Sequence, residues 1–282
     1  MAADPREKTA SVIDFDPLLS RLRLEAEDVL RREPELGGFI YPAILAQESV
    51  AGVVAHRVAQ RLDRPEAPYA AIRHAFDACL AQDPAVVDAF RADLLAVLER
   101  DPACTRLLEP ALYFKGFHAL QAYRLAHWLW KNGRSDFALT LQSLSSQIFQ
   151  TDIHPGAVIG KGVFMDHATG VVIGATSVIE DDVSMLHGVT LGGTGKARGD
   201  RHPKVRRGVL IGAGAKVLGN IEIGRCAMIA AGSVVLDSVP ANKTVAGVPA
   251  RIVGDAKCAE PALAMDQMLA VLEAGLDARA GL

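Results

Sequence analysis

The 282 residues carry 30 Lys and Arg against 33 Asp and Glu, a net charge of -3 with a pI of ≈ 6.2. That balance argues against nucleic acid or an anionic membrane as a partner, and no stretch reaches the roughly 18 uncharged apolar residues that a membrane span needs. The opening MAADPREKTA lacks the apolar run of a secretory signal, so a cytoplasmic protein is expected.

The length leaves room for two modest domains, each able to bury a core. Cys79, Cys104, Cys226 and Cys258 are scattered without a CxxC pair, which argues against a disulfide framework or a Cys-based zinc site. Cys79 and Cys226 read as buried apolar filler.

Residues 1–15 are charged and irregular and receive no fixed structure. From Pro17 the pattern turns helical: Leu18, Leu22 and Val29 share a stripe, and Ile44, Ala51, Val54, Val58 and Leu62 recur at helical spacing between Pro42 and Pro65. Asp83 followed by Pro84 predicts an N-cap with proline at the first helical position, after which Val86, Phe90, Leu94 and Val97 form the apolar face. Asp101 and Pro102 repeat that start signal, so a helix cap is the plainest role for Asp101. The run GFHALQAYRLAHWLWK over 116–131 predicts an aromatic-rich helix stopped by Asn132 and Gly133, with His118 and His127 as core or interface residues. A last helix over about 136–147 leads straight on without a Pro/Gly-rich linker. Residues 1–150 are thus an all-helical domain packed on the second half of the chain.

Between 151 and 254 the period changes to six. Ile153, Ile159, Met165 and Val171 form one series, Ile173, Ile179, Met185 and Leu191 a second, and Val205, Ile211, Val217, Ile223, Ile229 and Val235 a third. Neither a strand period of two nor a helix period of 3.6 produces this. Six residues make one short strand and one turn, three such units make a triangular coil, and stacked coils bury their inward anchors against each other. The series slip by two residues between Val171 and Ile173 and by fourteen between Leu191 and Val205, where GGTGKARGDRHPK leaves the repeat as a loop. Such excursions often build binding surfaces. Residues 255–282 form a tail in which Met265, Met268, Leu269 and Leu272 fall at helical spacing; it is expected to be mobile or partner-bound.

Within the repeat, groups able to move protons cluster: Asp152, His154, Asp166, His167 and His187, with Arg201 and His202 on the excursion. Residues roughly 18 apart should stack, which brings Asp166, His167 and His187 to neighbouring levels of one edge. An aspartate on one ring nitrogen fixes a histidine's tautomer and strengthens it as a base, so Asp152 or Asp166 could serve His167. Three convergent histidines could instead hold zinc.

The runs DIHPGAVIGKGVFMDHATGVVIG and VTLGGTGKARGDRHPKV resemble the left-handed β-helix acyltransferases. With KGFHALQAYRLAHWLW they resemble, more narrowly, the serine O-acetyltransferases, over about 101–254. The resemblance implies an N-terminal all-α domain, a left-handed parallel β-helix of hexapeptide repeats over 151–254 and a short tail. It implies acetyl transfer from acetyl-CoA to the hydroxyl of L-serine, without a metal. His167 becomes the general base and Asp152 its orienting partner; Asp101 and Asp166 hold the serine ammonium, and Arg201 and His202 its carboxylate. Gly193 is a candidate oxyanion donor. Acetyl-CoA would lie along a groove between two β-helices near Thr194, Ala213 and Ala231, with Lys216, Lys243 and Arg251 toward its phosphates. Family members form trimers joined in pairs into hexamers, are inhibited by L-cysteine, and bind O-acetylserine sulfhydrylase through a tail ending in Ile, where this chain ends in Leu282. Another hydroxyl acceptor, such as a sugar or homoserine, stands as the alternative within enzymes. A sulfhydrylase-holding scaffold or a zinc hydratase stands outside that reading.

Overall fold

The computed structural model describes residues 16–195 and 198–267. Its first part is helical: α1 (Pro17–Arg32), α2 (Gly37–Ile40), α3 (Val50–Leu62), α4 (Tyr69–Gln82), α5 (Pro84–Arg100), α6 (Leu108–Leu112), α7 (Lys115–Lys131) and α8 (Ser135–Phe149). Asp16 caps α1 by accepting from the Leu18 and Leu19 amides, and Asp83 caps α5 through Ala85 with Pro84 in the first turn. The apolar pattern over 44–62 is split between two elements. Tyr41–Leu45 forms a widened turn, and α3 begins afresh behind a Ser49 cap, because Ser49 Oγ takes the Gly52 amide. Asp101 caps no new helix; it closes α5, and its carboxylate accepts the Ala103 amide at 2.9 Å in a tight turn.

After Gln150, which leaves α8 in the left-handed region at φ 57°, short strands begin at once. One face of the resulting prism stacks β1 (Thr151–Ile153), β4 (Val171–Ile173), β7 (Thr190–Gly192), β10 (Lys216–Leu218) and β13 (Val234–Val235). A second stacks β2 (Val158–Ile159), β5 (Val178–Ile179), β8 (Lys204–Val205) and β11 (Glu222–Ile223). The third stacks β3 (Phe164–Met165), β6 (Ser184–Met185), β9 (Leu210–Ile211), β12 (Met228–Ile229) and β14 (Lys243–Gly247), closed by β15 (Ala250–Asp255), which alone runs antiparallel. This parallel β-solenoid of about five turns is the expected β-helix.

Every anchor of the three series is buried. Ile153 stacks on Ile173, Ile173 on Leu191, and Val217 on Leu191 and Val235, so Ile173 rather than Val171 continues the column from Ile153. Coils therefore repeat every 18 residues except twice. The extra residues lie in the corner after β3 and in the excursion between β7 and β8.

A solenoid leaves an apolar core open at each end unless something covers it. Here α7 covers the first coil: Leu120 and Tyr123 join the β-helix core while Phe164 of β3 enters the helical one. This double duty explains why α7 is buried on nearly every side. Asp93, fully buried on α5, accepts from Arg124 Nε at 2.8 Å, Gln121 Nε2 at 3.1 Å and the Val163 amide at 3.0 Å, tying α5 and α7 to the first coil. The described part of the tail is mostly exposed but is anchored at one point. After β15 a short helix, α9 (Pro261–Ala264), buries Ala262 against the six-stranded face, where Ser184 Oγ donates to its carbonyl at 2.7 Å. Met268, Leu269 and Leu272 lie outside the described residues. Cys79 and Cys226 are buried, as expected of filler, and Cys104 joins them.

Candidate active site

The longer corner after β3 carries the first half of the site. Its two additional residues place His167 and Ala168 in the left-handed region, at φ 53° and 58°, which β-carbon-bearing residues adopt at a cost. Helix α7 holds the corner from above: a β-carbon at Gly116 would come within 2.1 Å of the Met165 carbonyl and 3.1 Å of Ala168 Cβ. His167 projects outward with its side chain 75% exposed. Its Nε2 lies 3.7 Å from Asp166 Oδ1, and its ring meets that of His187, one coil on, edge-to-face at 6.1 Å.

Asp101, at the end of α5, faces the same corner. Burial pushes the Asp166 carboxyl above its usual range; the Asp101 charge adds to this, while His167 and His187 oppose it. The two carboxylates and His167 line a 210 Å³ cavity with Phe114 and Phe164. The cavity adjoins a 610 Å³ cleft bounded on its far side by Leu263, Met265 and Gln267 of the tail. Above His187 the corners are small and close-stacked. Gly214 N–H donates to the His187 carbonyl at 2.8 Å and Gly232 N–H to that of Ala213 at 2.7 Å, and a β-carbon at Gly212 would fall 2.5 Å from the Ala231 nitrogen. Ala213 and Ala231 therefore share the edge of His167, and the Lys216 ammonium reaches it by donating to the Gly188 carbonyl.

Arg201 and His202 occupy the other edge of the five-stranded face. Their turn is gathered around Thr176, whose hydroxyl accepts from both backbone amides, and His202 is 6% exposed. Gly193 packs here, its β-carbon position 3.4 Å from the Arg201 side chain, and Thr194 lies beside Gly219. His154 stands on the same edge, its ring edge-on to Trp130 at 5.2 Å and its Nδ1 accepting the Gly156 amide at 2.9 Å. Burial holds its pKa low; Asp152 opposes that and Arg201 adds to it. Asp152 accepts from Gln142 Nε2 at 2.7 Å. Among the described residues it makes no ion pair with His167, so within one chain it belongs with His154. Lys243 is bound to Asp255, and Arg251 lies 3.9 Å from Asp237, both on the closing hairpin.

One chain thus assembles two clusters: an acidic one with the exposed imidazole of His167, and a basic one with the buried imidazole of His202 and the half-buried one of His154. Sequence reasoning passed over Gln142, Gly116 and Thr176. A threonine at a β-helix corner looks like any turn residue until the excursion folds onto it. Among the described residues no three His, Cys, Asp or Glu side chains converge on a metal position.

Comparison with known proteins fits this layout. Residues 18–122 match the family model described as serine acetyltransferase, N-terminal, and 202–237 match that of the bacterial transferase hexapeptide (six repeats). Serine acetyltransferase of Escherichia coli (strain K12) is 51% identical over 254 residues, which are 90% of this chain and 93% of that protein. The chain belongs to the serine acetyltransferase family. The Haemophilus influenzae member is 49% identical over 256 residues, 91% of this chain and 96% of the relative. Among solved serine acetyltransferases, that of Brucella abortus strain S19 in complex with coenzyme A superposes with a TM-score of 0.86 at 58% identity, covering 88% of this chain and all of that one. A serine acetyltransferase in complex with cysteine gives 0.87 at 49% identity, covering 89% and 98%.

Proposed function

We propose that the chain transfers the acetyl group of acetyl-CoA to the hydroxyl of L-serine in sites that each draw on two copies of the chain. The observation that carries this is the split of opposite charges between two edges of one face. The ammonium and carboxylate of a free amino acid share one carbon, whereas three strand residues at about 3.3 Å each separate the edges by roughly 10 Å. A single serine cannot bridge them. Placing the acidic edge of one copy against the basic edge of the next brings both charges to one substrate, and a threefold arrangement repeats the contact until it closes. Residues 1–150 then serve to join trimers into a hexamer.

In that arrangement Asp101 and Asp166 hold the ammonium, while the neighbouring copy supplies Arg201 and His202 for the carboxylate. A planar guanidinium matches a carboxylate well. His167 takes the serine hydroxyl proton, oriented by Asp152 across the seam. The freed oxygen attacks the thioester carbonyl, a backbone amide such as that of Gly193 steadies the oxyanion, and collapse expels the CoA thiolate, which recovers the proton from His167. The Ala213–Ala231 edge offers a smooth bed for the pantetheine arm, with Lys216, Lys243 and Arg251 available to phosphates. L-cysteine, a near isostere of serine, would compete at the same place. The tail would dock O-acetylserine sulfhydrylase, which a pull-down with the last ten residues deleted tests.

The decisive experiment mixes two inactive variants. His167→Ala should lose roughly 100- to 10,000-fold in turnover, and Arg201→Ala should raise the serine KM at least about 10-fold, so that with serine well below saturation both are nearly inactive. Refolded together at equal amounts, they should regain about a quarter of wild-type activity, because that share of seams in random trimers pairs an intact His167 with an intact Arg201. Activity that stays at the level of the separate variants would place the whole site within one chain.

A further inference from the structure

The Arg201–His202 turn contains a proton assignment that the hydrogen bonds determine. A threonine hydroxyl has one proton and two lone pairs. Thr176 Oγ1 lies 3.0 Å from the Arg201 amide, 3.2 Å from the His202 amide and 2.8 Å from His202 Nδ1. The two amides can only donate, and together they fill both lone pairs. The hydroxyl proton is left to His202 Nδ1 or to the Asp200 carboxylate, which the Thr176 side chain also reaches. The backbone N–H of Thr176 also donates to Nδ1, at 3.2 Å.

Whichever way the hydroxyl turns, Nδ1 faces the Thr176 N–H and must itself be an acceptor, so the neutral ring carries its proton on Nε2. Turning the ring over would put a carbon in place of Nδ1 and lose these bonds. The ring lies on the backbone of Gly174, where an added β-carbon would fall 2.1 Å from both Cδ2 and Nε2. Lys204 closes the turn from below, donating to the Thr176 carbonyl at 2.8 Å and the His202 carbonyl at 2.9 Å. Charging the ring would set a proton against the Thr176 N–H. Burial pushes its pKa down, and Arg201 and Lys204 push it further against the opposing charge of Asp200.

We propose that Thr176 is a positioning residue for the acyl acceptor: it holds His202 as a neutral donor through Nε2 and aligns the Arg201 backbone beside it, so that a carboxylate meets one guanidinium and one N–H. This rests on the reading that Arg201 and His202 receive the serine carboxylate. The opposite tautomer would aim a lone pair at that carboxylate. Gly174 belongs to the same device, because any side chain there would displace the ring.

Thr176→Val keeps the shape and removes the hydroxyl. The KM for serine should rise about 10- to 100-fold, the worth of one hydrogen bond to a charged group, with kcat within about threefold and the KM for acetyl-CoA unchanged. Thr176→Ser should restore serine binding. In protein labelled with 15N-histidine, the His202 ring signals, identified by their loss in His202→Asn, should show a protonated Nε2 in the wild type and in Thr176→Ser. In Thr176→Val, which keeps the backbone N–H but loses the hydroxyl, the Nδ1 signal should move while Nε2 remains the main protonated site. Thr176→Ala gives the same reading should the valine variant fold poorly. Unchanged ring signals in both variants would overturn the lock. A shifted Nδ1 signal with an unchanged serine KM would leave the lock standing but remove His202 from carboxylate binding, which separates this failure from that of the two-copy site.

Discussion

His167 combines three features that a purely structural residue would avoid: a left-handed backbone, an exposed ring, and a half-buried acidic neighbour. Strain of this kind persists only where the surroundings over-determine it. The acidic neighbour is the easiest to test. Because Asp166 has a raised pKa in the folded chain, folding holds its proton more tightly than the unfolded chain does. Stability is therefore lost as pH rises from the ordinary value of 3.8 through the raised one. Asp166→Asn removes the charge while keeping the shape. At neutral pH the variant should melt higher than the wild type, with the difference vanishing in acid. Its KM for serine should rise at least about 10-fold, as expected when a charged hydrogen-bond partner is lost. A lower melting temperature at pH 7 would show that Asp166 is a structural partner instead of a strained site residue.

At the scale of elements, the site depends on how closely α7 approaches the corner it braces. The 2.1 Å separation between a β-carbon at Gly116 and the Met165 carbonyl leaves glycine as the only residue that fits without movement. Gly116→Ala must push the helix away from the coil or the corner out of place. Overpacking of this sort costs about 1–3 kcal/mol, measurable by urea unfolding. A shift of about 1 Å in the corner should also cost on the order of 100-fold in turnover. Gly37 and Gly38 meet nothing within 4 Å, so alanine at either should leave turnover near wild type and serves as a control. Equal activity in Gly116→Ala would show that the corner holds His167 without help from α7.

For the molecule as a whole, the β-helix was legible because its code is local. An anchor every sixth residue needs no knowledge of distant contacts, and the two slips in that count mark the corner of His167 and the excursion of Arg201. The helical stretch was less legible over 41–50, where an unbroken apolar pattern hides a widened turn and a new cap. Asp101 shows the same limit: Asp-Pro signals a helix start locally, but the chain is leaving α5 at that point. The proposed pairing of acidic and basic edges lies beyond single-chain periodicity, because it concerns what a second copy would bring. His118 shows how burial in the shared core governs the response to acid. Its ring is 1% exposed, Nε2 donates to the Ala111 carbonyl at 3.0 Å, and burial pushes its pKa down to about 3. Unfolding frees it to bind a proton near its ordinary 6.5, so stability present above that value declines as pH falls toward 3. The slope from this group is at most about 1.4 kcal/mol per pH unit. His118→Gln keeps a donor toward Ala111 but cannot take up the proton. Urea midpoints measured from pH 7 to pH 4 should therefore fall less steeply for that variant than for the wild type, even if it starts lower. Parallel slopes would mean that the acid sensitivity of the fold arises from other groups.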